Sequence, residues 1–417
     1  MSETAVIVGA GQAGGRAAQA LRKQGWQGRI LLLGEEPEAP YERPPLSKEV
    51  LSAGADPLSV PIFKDGQLAA LEVELETGFR VEALDVGARR LAGRGGRRLV
   101  WDRLVLATGA RPRRLACPGA ELEGVHLLRT AADARALAPE LVEGRSVVLV
   151  GGGFIGLEVA ASARKRGCRV TVVEAAGHLI GRAMGPKLSR HLRSLHIEQG
   201  VHIRLSGQVA AFEGSGRLET VLLADGTRMP AEVAVVGIGC LAEDALAAGA
   251  GLACEDGILT DAFAATSAPG VWAVGDCTRH ENRWLGRRVR LESWENAELA
   301  PQVAAKAICG APEPYAVVPW FWTDQYALNL QLLGLSGFEG ELVWRGRPLE
   351  GPAIAFELEH GMIRGSALFD AGRERRPVRQ LIELRARVRA EALADPDVAL
   401  RDLAKSAAEG AAADESG

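Results

Sequence analysis

The chain has 417 residues, 47% hydrophobic and 24% charged, with a formal net charge of −4. That length suits about two to four domains and a core that needs no disulfide or metal staple. The charge gives no global attraction to nucleic acid or anionic lipid, the 50 glycines follow no three-residue period, and no apolar run reaches the length of a membrane span.

"AVIVGAGQAGG" (5–15) is a short β-branched run, then Gly-x-Gly-x-x-Gly on Gly9, Gly11 and Gly14, then the helix-compatible "RAAQALRKQG" ending near Gly25. The strand signal starts at once, with no basic segment and cleavage site before it, so no signal peptide is expected. "GRILLLGEE" reads as a buried strand ending in acids. In "PYERPPLSKEVL" (40–51) two prolines fix an extended turn, and a helix opens at or after Ser47. Strand-like runs recur at "LEVEL" (71–75), "RLAG" and "RLVWDRLVLATGARP", the last turning sharply at 107–112. Segment 130–140 reads as a helix. "VVLVGGGFIGLE" (147–158) then repeats the opening form, with Gly151, Gly153 and Gly156 each 142 positions after its counterpart. "RVTVVEAAG" (169–177), a helix over about 186–199 and the strand "VHIRL" continue this unit. The turn signal "ADGT" within 216–239 predicts a hairpin returning to a sheet edge. "GVWAVGDC" (270–277) is another buried strand, and "RLESWENAELAPQVAAKAI" starts a helix near Ser293–Trp294. Beyond Tyr315 come "PWFWTDQY", the short strands "ELVW", "AIAFELEH" and "MIRGSALF", an amphipathic helix over 377–390 and a small, polar, frayed tail.

Two strand–glycine–helix units at one spacing imply two nucleotide-binding lobes. The first glycine permits the tight turn, the second lets backbone approach a pyrophosphate, and the third lets helix and strand pack closely. The anion then faces free N–H groups at the helix N-terminus. Each unit also carries an acid. Glu174 lies 18 residues after Gly156, where a carboxylate accepts both ribose hydroxyls and repels a 2′-phosphate. Ala175 and Ala176 beside it offer no phosphate partner, which predicts NADH over NADPH. Glu35 follows Gly14 by 21 residues, with the three extra positions assigned to the "GWQG" turn and Glu36 as the competing acid. Arg43 suits phosphate, and Lys48 is a compact charge able to stabilise a reduced flavin. Asp276, after Gly275, can accept from a cofactor hydroxyl. The helix at Trp294 would aim its N-terminus at the flavin's pyrimidine edge, where negative charge develops. The six cysteines (Cys117, Cys168, Cys240, Cys254, Cys277, Cys309) form no CxxC pattern. No redox dithiol or metal site is expected, and scattered thiols fit the cytoplasm.

"VIVGAGQAGG", "PYERPPLSKE", "LVLATGARP", "VVLVGGGFIGLEVA", "GVWAVGDC", "LESWENA" and "PWFWTDQY", in that order over about 4–402, resemble the NADH-dependent ferredoxin reductases of bacterial oxygenase systems. Putidaredoxin reductase and the reductases of biphenyl and toluene dioxygenases belong to that family. Rubredoxin reductase and apoptosis-inducing factor share its fold. The resemblance implies an α/β protein with two Rossmann-like dinucleotide-binding domains, in the glutathione-reductase-like FAD/NAD arrangement, plus a C-terminal α+β domain. The expected boundaries are 1–112 with 241–316 for a discontinuous FAD domain, 113–240 for the NAD domain, 317–402 for the C-terminal domain and 403–417 for a disordered tail. Carried over by motif, FAD contacts fall on Gly9, Gly11, Gln12, Ala13, Gly14, Glu35, Glu36, Arg43, Lys48, Val81, Ala107, Thr108, Gly109, Arg129, Gly275, Asp276 and Trp294. NADH contacts fall on Gly151, Gly153, Phe154, Ile155, Gly156, Glu158, Glu174, Arg182 and Gly239. Lys48 and Glu158 are the implied catalytic residues, paired across the domain gap beside the flavin. The family's Val-x-Pro-Asn-like run is missing at 240–244, where the chain reads "CLAED". This departure is expected to loosen the crossover back to the FAD domain or alter the nicotinamide pocket.

The implied reaction takes a hydride from NADH to FAD and sends single electrons to an acidic iron–sulfur ferredoxin, which feeds a terminal oxygenase. Trp320 and Trp322 are placed near the electron exit. Basic runs at Arg279, Arg283, Arg287, Arg288 and Arg290, and at Arg373, Arg375, Arg376 and Arg379, are candidate docking patches. The protein is expected as a monomer or weak homodimer, without nucleic-acid or membrane partners. A rubredoxin reductase, an NADH oxidase, or an NADH-sensing flavoprotein of the apoptosis-inducing-factor type are the competing readings.

Overall fold

The computed structural model describes residues 3–181, 183–334 and 337–415. The chain forms two compact units: Met1–Pro45, Asp56–Arg111 and Cys240–Val317 make the first, and Leu46–Ala55, Pro112–Gly239 and Val318–Gly417 the second.

The first unit is built on a five-stranded parallel sheet, in the order Val271–Ala273, Arg103–Leu106, Thr4–Val8, Arg29–Leu33, Val73–Glu76. Strands covered on both faces should read as unbroken apolar runs, and Ala5, Val6, Ile7, Leu104, Val105 and Leu106 are all fully buried. Helix Gln12–Lys23 packs on helix Trp294–Ile308. Ala13, Ala17 and Ala20 lie in one core with Ala297, Ala300 and Ala304, side chains small enough for close approach. A three-stranded antiparallel sheet (Val81–Asp85, Arg90–Gly93, Arg98–Val100) completes the pattern. Segment 240–244 is tied to the stretch after strand Arg103–Leu106. Cys240–Ala242 is a strand, the Glu243 carbonyl accepts from Thr108 Oγ1 at 2.5 Å, the Glu243 N–H donates to Gly109, and its carboxylate pairs with Arg111 at 2.9 Å.

The second unit repeats the plan. Its parallel sheet runs His202–Leu205, Arg169–Glu174, Ser146–Val150, Val233–Val236, Val125–His126. Beside it Val209–Glu213, Thr220–Leu223 and Arg228–Pro230 form an antiparallel sheet. The "ADGT" hairpin therefore lies in this separate sheet, and Val233–Val236 enters the parallel sheet one strand in from its edge. A five-stranded antiparallel sheet follows, ordered Trp320–Gln325, Leu328–Leu333, Met362–Phe369, Ala353–Glu359, Glu341–Arg345. Leu149, Leu157 and Leu188 share one core with Leu330, Phe338 and Phe369, so residues 112–239 and 318–417 fall in one compact unit. Leu51 joins that core too, which puts 46–55 in the second unit rather than the first.

Two terminal expectations are corrected. The helix foreseen over 377–390 runs Arg375–Glu383 and stops where Arg385 turns left-handed (φ 49°). The Ala386 N–H then bonds the Leu381 carbonyl and the Arg385 N–H the Ile382 carbonyl, a Schellman closure. Of the tail expected disordered over 403–417, the residues up to Glu415 belong to helix Leu400–Glu415, and 416–417 lie outside the described residues. Its alanines have the highest helix propensity, and Leu400 and Ala404 are buried where it packs on Arg375–Glu383.

Candidate functional site

The two glycine turns have one geometry. Gly9 and Gly151 sit at φ +109° and +107°, where any side chain is strained, and a Cβ would also strike the Ala107 carbonyl oxygen at 2.1 Å or that of Gly237 at 2.4 Å. Gly14 and Gly156 need the missing Cβ for contact: it would lie 1.8 Å from the Gly9 oxygen and 2.1 Å from the Gly151 oxygen. The middle glycines differ in kind. Gly11 and Gly153 are the extended N-caps of helices Gln12–Lys23 and Phe154–Lys165, and neither helix has a side-chain cap. A Cβ on Gly153 would meet nothing among the described residues within 4 Å, and on Gly11 only the Arg43 guanidinium at 4.0 Å. Uncapped helical N–H groups facing open space beside a glycine fit a pyrophosphate. Both turns thus pass the test that a dinucleotide sets. Gln12 and Ala13 open the first helix, with Gln12 Nε2 donating to Glu298 at 2.8 Å and Ala13 packed under Gly275. Phe154 and Ile155 open the second, Phe154 stacked parallel to Phe321 at 6.5 Å and Ile155 46% exposed.

The acids are less alike. Glu174 Oε2 accepts from the Gly152 N–H at 2.6 Å and Oε1 from Ala176 N–H at 2.7 Å, so its carboxylate is held against the glycine turn. In the first unit the register decides the counterpart. Val8 pairs with Leu33 as Val150 pairs with Val173, so Gly34, not Glu35, occupies the place of Glu174. Two of the three extra residues lie between the helix ending at Lys23 and the strand starting at Arg29, and the third is Glu35's step beyond Gly34. Glu35 is exposed and pairs with Arg80 at 3.0 Å. Glu36 binds Tyr41 at 2.6 Å and Arg43 at 2.5 Å, which keeps the competing acid with the arginine that borders Gly11.

The remaining first-unit residues cluster at sheet and helix ends. Ala107, Thr108 and Gly109 follow strand Arg103–Leu106, and Gly275 and Asp276 form a short 3-10 turn after Val271–Ala273. Trp294 opens its helix behind the Ser293 cap, and its indole N–H donates to Glu42 at 3.0 Å. Val81 begins a strand of the antiparallel sheet. In the second unit, Gly239 is left-handed (φ +101°) after Val233–Val236. Arg129 belongs to the second unit rather than the FAD-side segments, its N–H bonding Asp133 ahead of helix Ala131–Leu137. Arg182 lies outside the described residues.

Lys48 and Glu158 meet within the second unit, not across a gap. Lys48 Nζ is 3.6 Å from Glu158 Oε1 and 3.2 Å from Asp324 Oδ2, and lies 5.1 Å from the centre of the Trp322 ring. Glu158 is only 4% exposed. It accepts from Ser47 Oγ at 2.5 Å and from Thr323 Oγ1 at 2.7 Å. Burial pushes its carboxyl up from the ordinary range, and the Lys48 charge and the two hydroxyls pull it back. Sequence reasoning missed Ser47, Thr323 and Asp324. The strand alternation in "WFWTDQ" held the signal: Trp320, Trp322 and Asp324 share one face, and Thr323 and Gln325, both fully buried, share the other.

Trp320 and Trp322 stack at 4.9 Å, nearly parallel, with the Arg375 guanidinium 4.4 Å over Trp320. Their indole N–H groups donate to Gln331 and Asp324. The first basic run is largely neutralised internally. Arg290 is buried between Glu292 and Asp256, Arg279 pairs with Glu255 and Arg288 with Glu281. All six cysteines are free.

Two glycine cradles, one with the Glu174 carboxylate held against it, and a buried lysine–carboxylate pair beside six free cysteines describe a pyridine-nucleotide oxidoreductase. The pyridine nucleotide-disulphide oxidoreductase family matches residues 3–300 and the reductase C-terminal family residues 320–404. The chain belongs to the pyridine nucleotide-disulphide oxidoreductase family. It is 41% identical over 407 residues to the ferredoxin–NAD(+) reductase component of the biphenyl dioxygenase system of Paraburkholderia xenovorans, covering 97% of this chain and 99% of that one. It is also 41% identical over 397 residues to the corresponding component of the anthranilate 1,2-dioxygenase system of Burkholderia cepacia, covering 95% and 98%. Among solved structures, putidaredoxin reductase in its covalent complex with putidaredoxin superposes with a TM-score of 0.93 at 36% identity, covering 97% and 99%. Among the described residues no helix is long and apolar enough to cross a membrane.

Proposed function

We propose that this chain is an FAD-dependent NADH:ferredoxin reductase that supplies a terminal oxygenase. The observation that carries the reading is the pair of open glycine cradles, joined to a buried Lys48–Glu158 pair in a chain whose cysteines are all free. When bound, FAD would supply the redox chemistry that links two-electron transfer from NADH to single-electron transfer to a ferredoxin.

The residues of the chain bind, orient and balance charge. Gly11, the N-terminus of helix Gln12–Lys23 and Arg43 hold the FAD pyrophosphate, while Asp276 and the helix at Trp294 bind its hydroxyl and pyrimidine sides. The first lobe's acid is Glu36 or Glu35, of which Glu36 is the one tied to Arg43. Gly153, the N-terminus of Phe154–Lys165 and Glu174 hold NADH. Lys48 provides the cation that favours reduced flavin. Glu158 and Asp324 fix where that cation stands. Trp320 and Trp322 line the electron exit, and exposed Arg375 and Arg376 beside them receive an acidic ferredoxin. Six free thiols suit a cytoplasmic setting.

Purified protein should be yellow, bleach with NADH far faster than with NADPH, and pass electrons to an acidic [2Fe–2S] ferredoxin faster than to rubredoxin or oxygen. Colourless protein that takes up no FAD overturns the assignment. Fast reoxidation by oxygen with no ferredoxin reduction replaces it with an oxidase.

A further inference from the structure

Behind the Lys48–Glu158 pair lies a line of buried polar groups that the redox reading does not use. Thr323, Gln325 and His196 are each fully buried. They come from strand Trp320–Gln325 and helix Pro186–Glu198, while Glu158 comes from helix Phe154–Lys165. Consecutive contacts are short: Tyr326 Oη to His196 Nδ1 3.2 Å, His196 Nε2 to Gln325 Oε1 2.8 Å, Gln325 Nε2 to Thr323 Oγ1 3.1 Å and Thr323 Oγ1 to Glu158 Oε1 2.7 Å.

The chemistry of the groups sets the direction. An ionised carboxylate only accepts, so the single Thr323 hydroxyl hydrogen goes to Glu158 and its lone pair takes the Gln325 amide hydrogen. The Gln325 carbonyl therefore faces His196 Nε2, which must carry the imidazole hydrogen. His196 Nδ1 is then an acceptor for the Tyr326 hydroxyl. We propose that Tyr326, His196, Gln325 and Thr323 form a one-way hydrogen-bond chain that positions the Glu158 carboxylate for Lys48. In a low-dielectric interior, aligned donors polarise one another and strengthen the last bond, the one that reaches the carboxylate. Burial favours the neutral His196 imidazole and the protonated Tyr326 hydroxyl, the forms that this direction needs while Glu158 is ionised. The charged groups facing Glu158 are Lys48 and, beyond it, Asp324. Ser47 holds the other carboxylate oxygen. The chain stands on this packing alone. Its value to catalysis rests on the assignment of Lys48 to the flavin.

Two measurements on the FAD-loaded protein test it. Nitrogen-15 NMR of histidine-labelled protein, with His196 assigned through His196→Phe, should show a neutral Nε2–H imidazole at neutral pH. The Nδ1–H tautomer or an imidazolium overturns the chain. Infrared titration of carbon-13-labelled glutamates, with Glu158 assigned through Glu158→Gln, reads the carboxylate directly. Thr323→Val should raise the pH at which Glu158 protonates by about one unit, the worth of one hydrogen bond to a charge. Thr323→Ser should restore it, and Tyr326→Phe, a milder change at the far end, should move it the same way by less. An unchanged Glu158 titration in folded Thr323→Val overturns the chain whatever the turnover. A shifted titration with unaltered hydride transfer in stopped flow leaves the chain standing and removes the pair from the reaction.

Discussion

Single side chains here take their properties from how far they are removed from water. His280 is 5% exposed against Tyr315, its Nε2 has no hydrogen-bond partner among the described residues, and burial lowers its imidazole to about 4. The unfolded chain protonates this group near 6.5, whereas the folded chain holds it neutral down to about 4. Stability is therefore lost as pH falls through that window and levels off below it. His280→Phe should remove the loss. The gap between variant and wild type, read by chemical denaturation, should widen by about 2 kcal/mol between pH 7 and pH 5. Glu174 is the converse case, an acid kept at the surface of its turn by two backbone N–H groups. Glu174→Ala should lower kcat/KM for NADH about tenfold while sparing NADPH, so the ratio of the two, measured in steady state, reports the residue.

At the scale of the element, the two strand–glycine–helix units separate roles that a motif merges. Gly156 is a packing glycine and Gly153 an opening. Gly156→Ala drives a methyl into the Gly151 carbonyl and should destabilise the fold by about 1–3 kcal/mol. Gly153→Ala meets no atom of the described residues within 4 Å, so Tm should hold while NADH affinity falls. Thermal melts beside NADH titrations separate the two, and equal Tm losses would contradict the division. These glycines were legible in sequence because their demands are local: a positive φ and a helix start within a few residues. The acid of the first lobe was not, because counting from Gly14 cannot tell a longer turn from a step past the strand end. The register at Val8 and Leu33 distinguishes them.

For the whole molecule the question is how electrons leave. Arg375 lies over Trp320, and the basic run at 279–290 spends three of its charges on its own carboxylates. Arg375→Glu should slow reduction of an acidic ferredoxin at least tenfold at low salt and leave ferricyanide reduction near wild type. The deficit should shrink as salt rises. Reversal at Arg287 and Arg288 should do less. Equal loss with both acceptors would make Arg375 a support for the stacked indoles rather than a docking residue.

The amino-acid order alone determined the duplicated nucleotide lobes, the acid at the end of the second lobe's strand, the absence of a dithiol pattern and the blocks that mark the family, because each is a short-range pattern in one stretch of chain. Only the tertiary structure decided that 46–55 folds with the second lobe, that Gly34 takes the place matched by Glu174, that the tail is helical and that Tyr326, His196, Gln325 and Thr323 converge on Glu158. Residues 158, 196 and 323 carry no shared period or spacing. A helix, a second helix and an edge strand bring them together around one core, and burial then obliges each polar group to find its partner there.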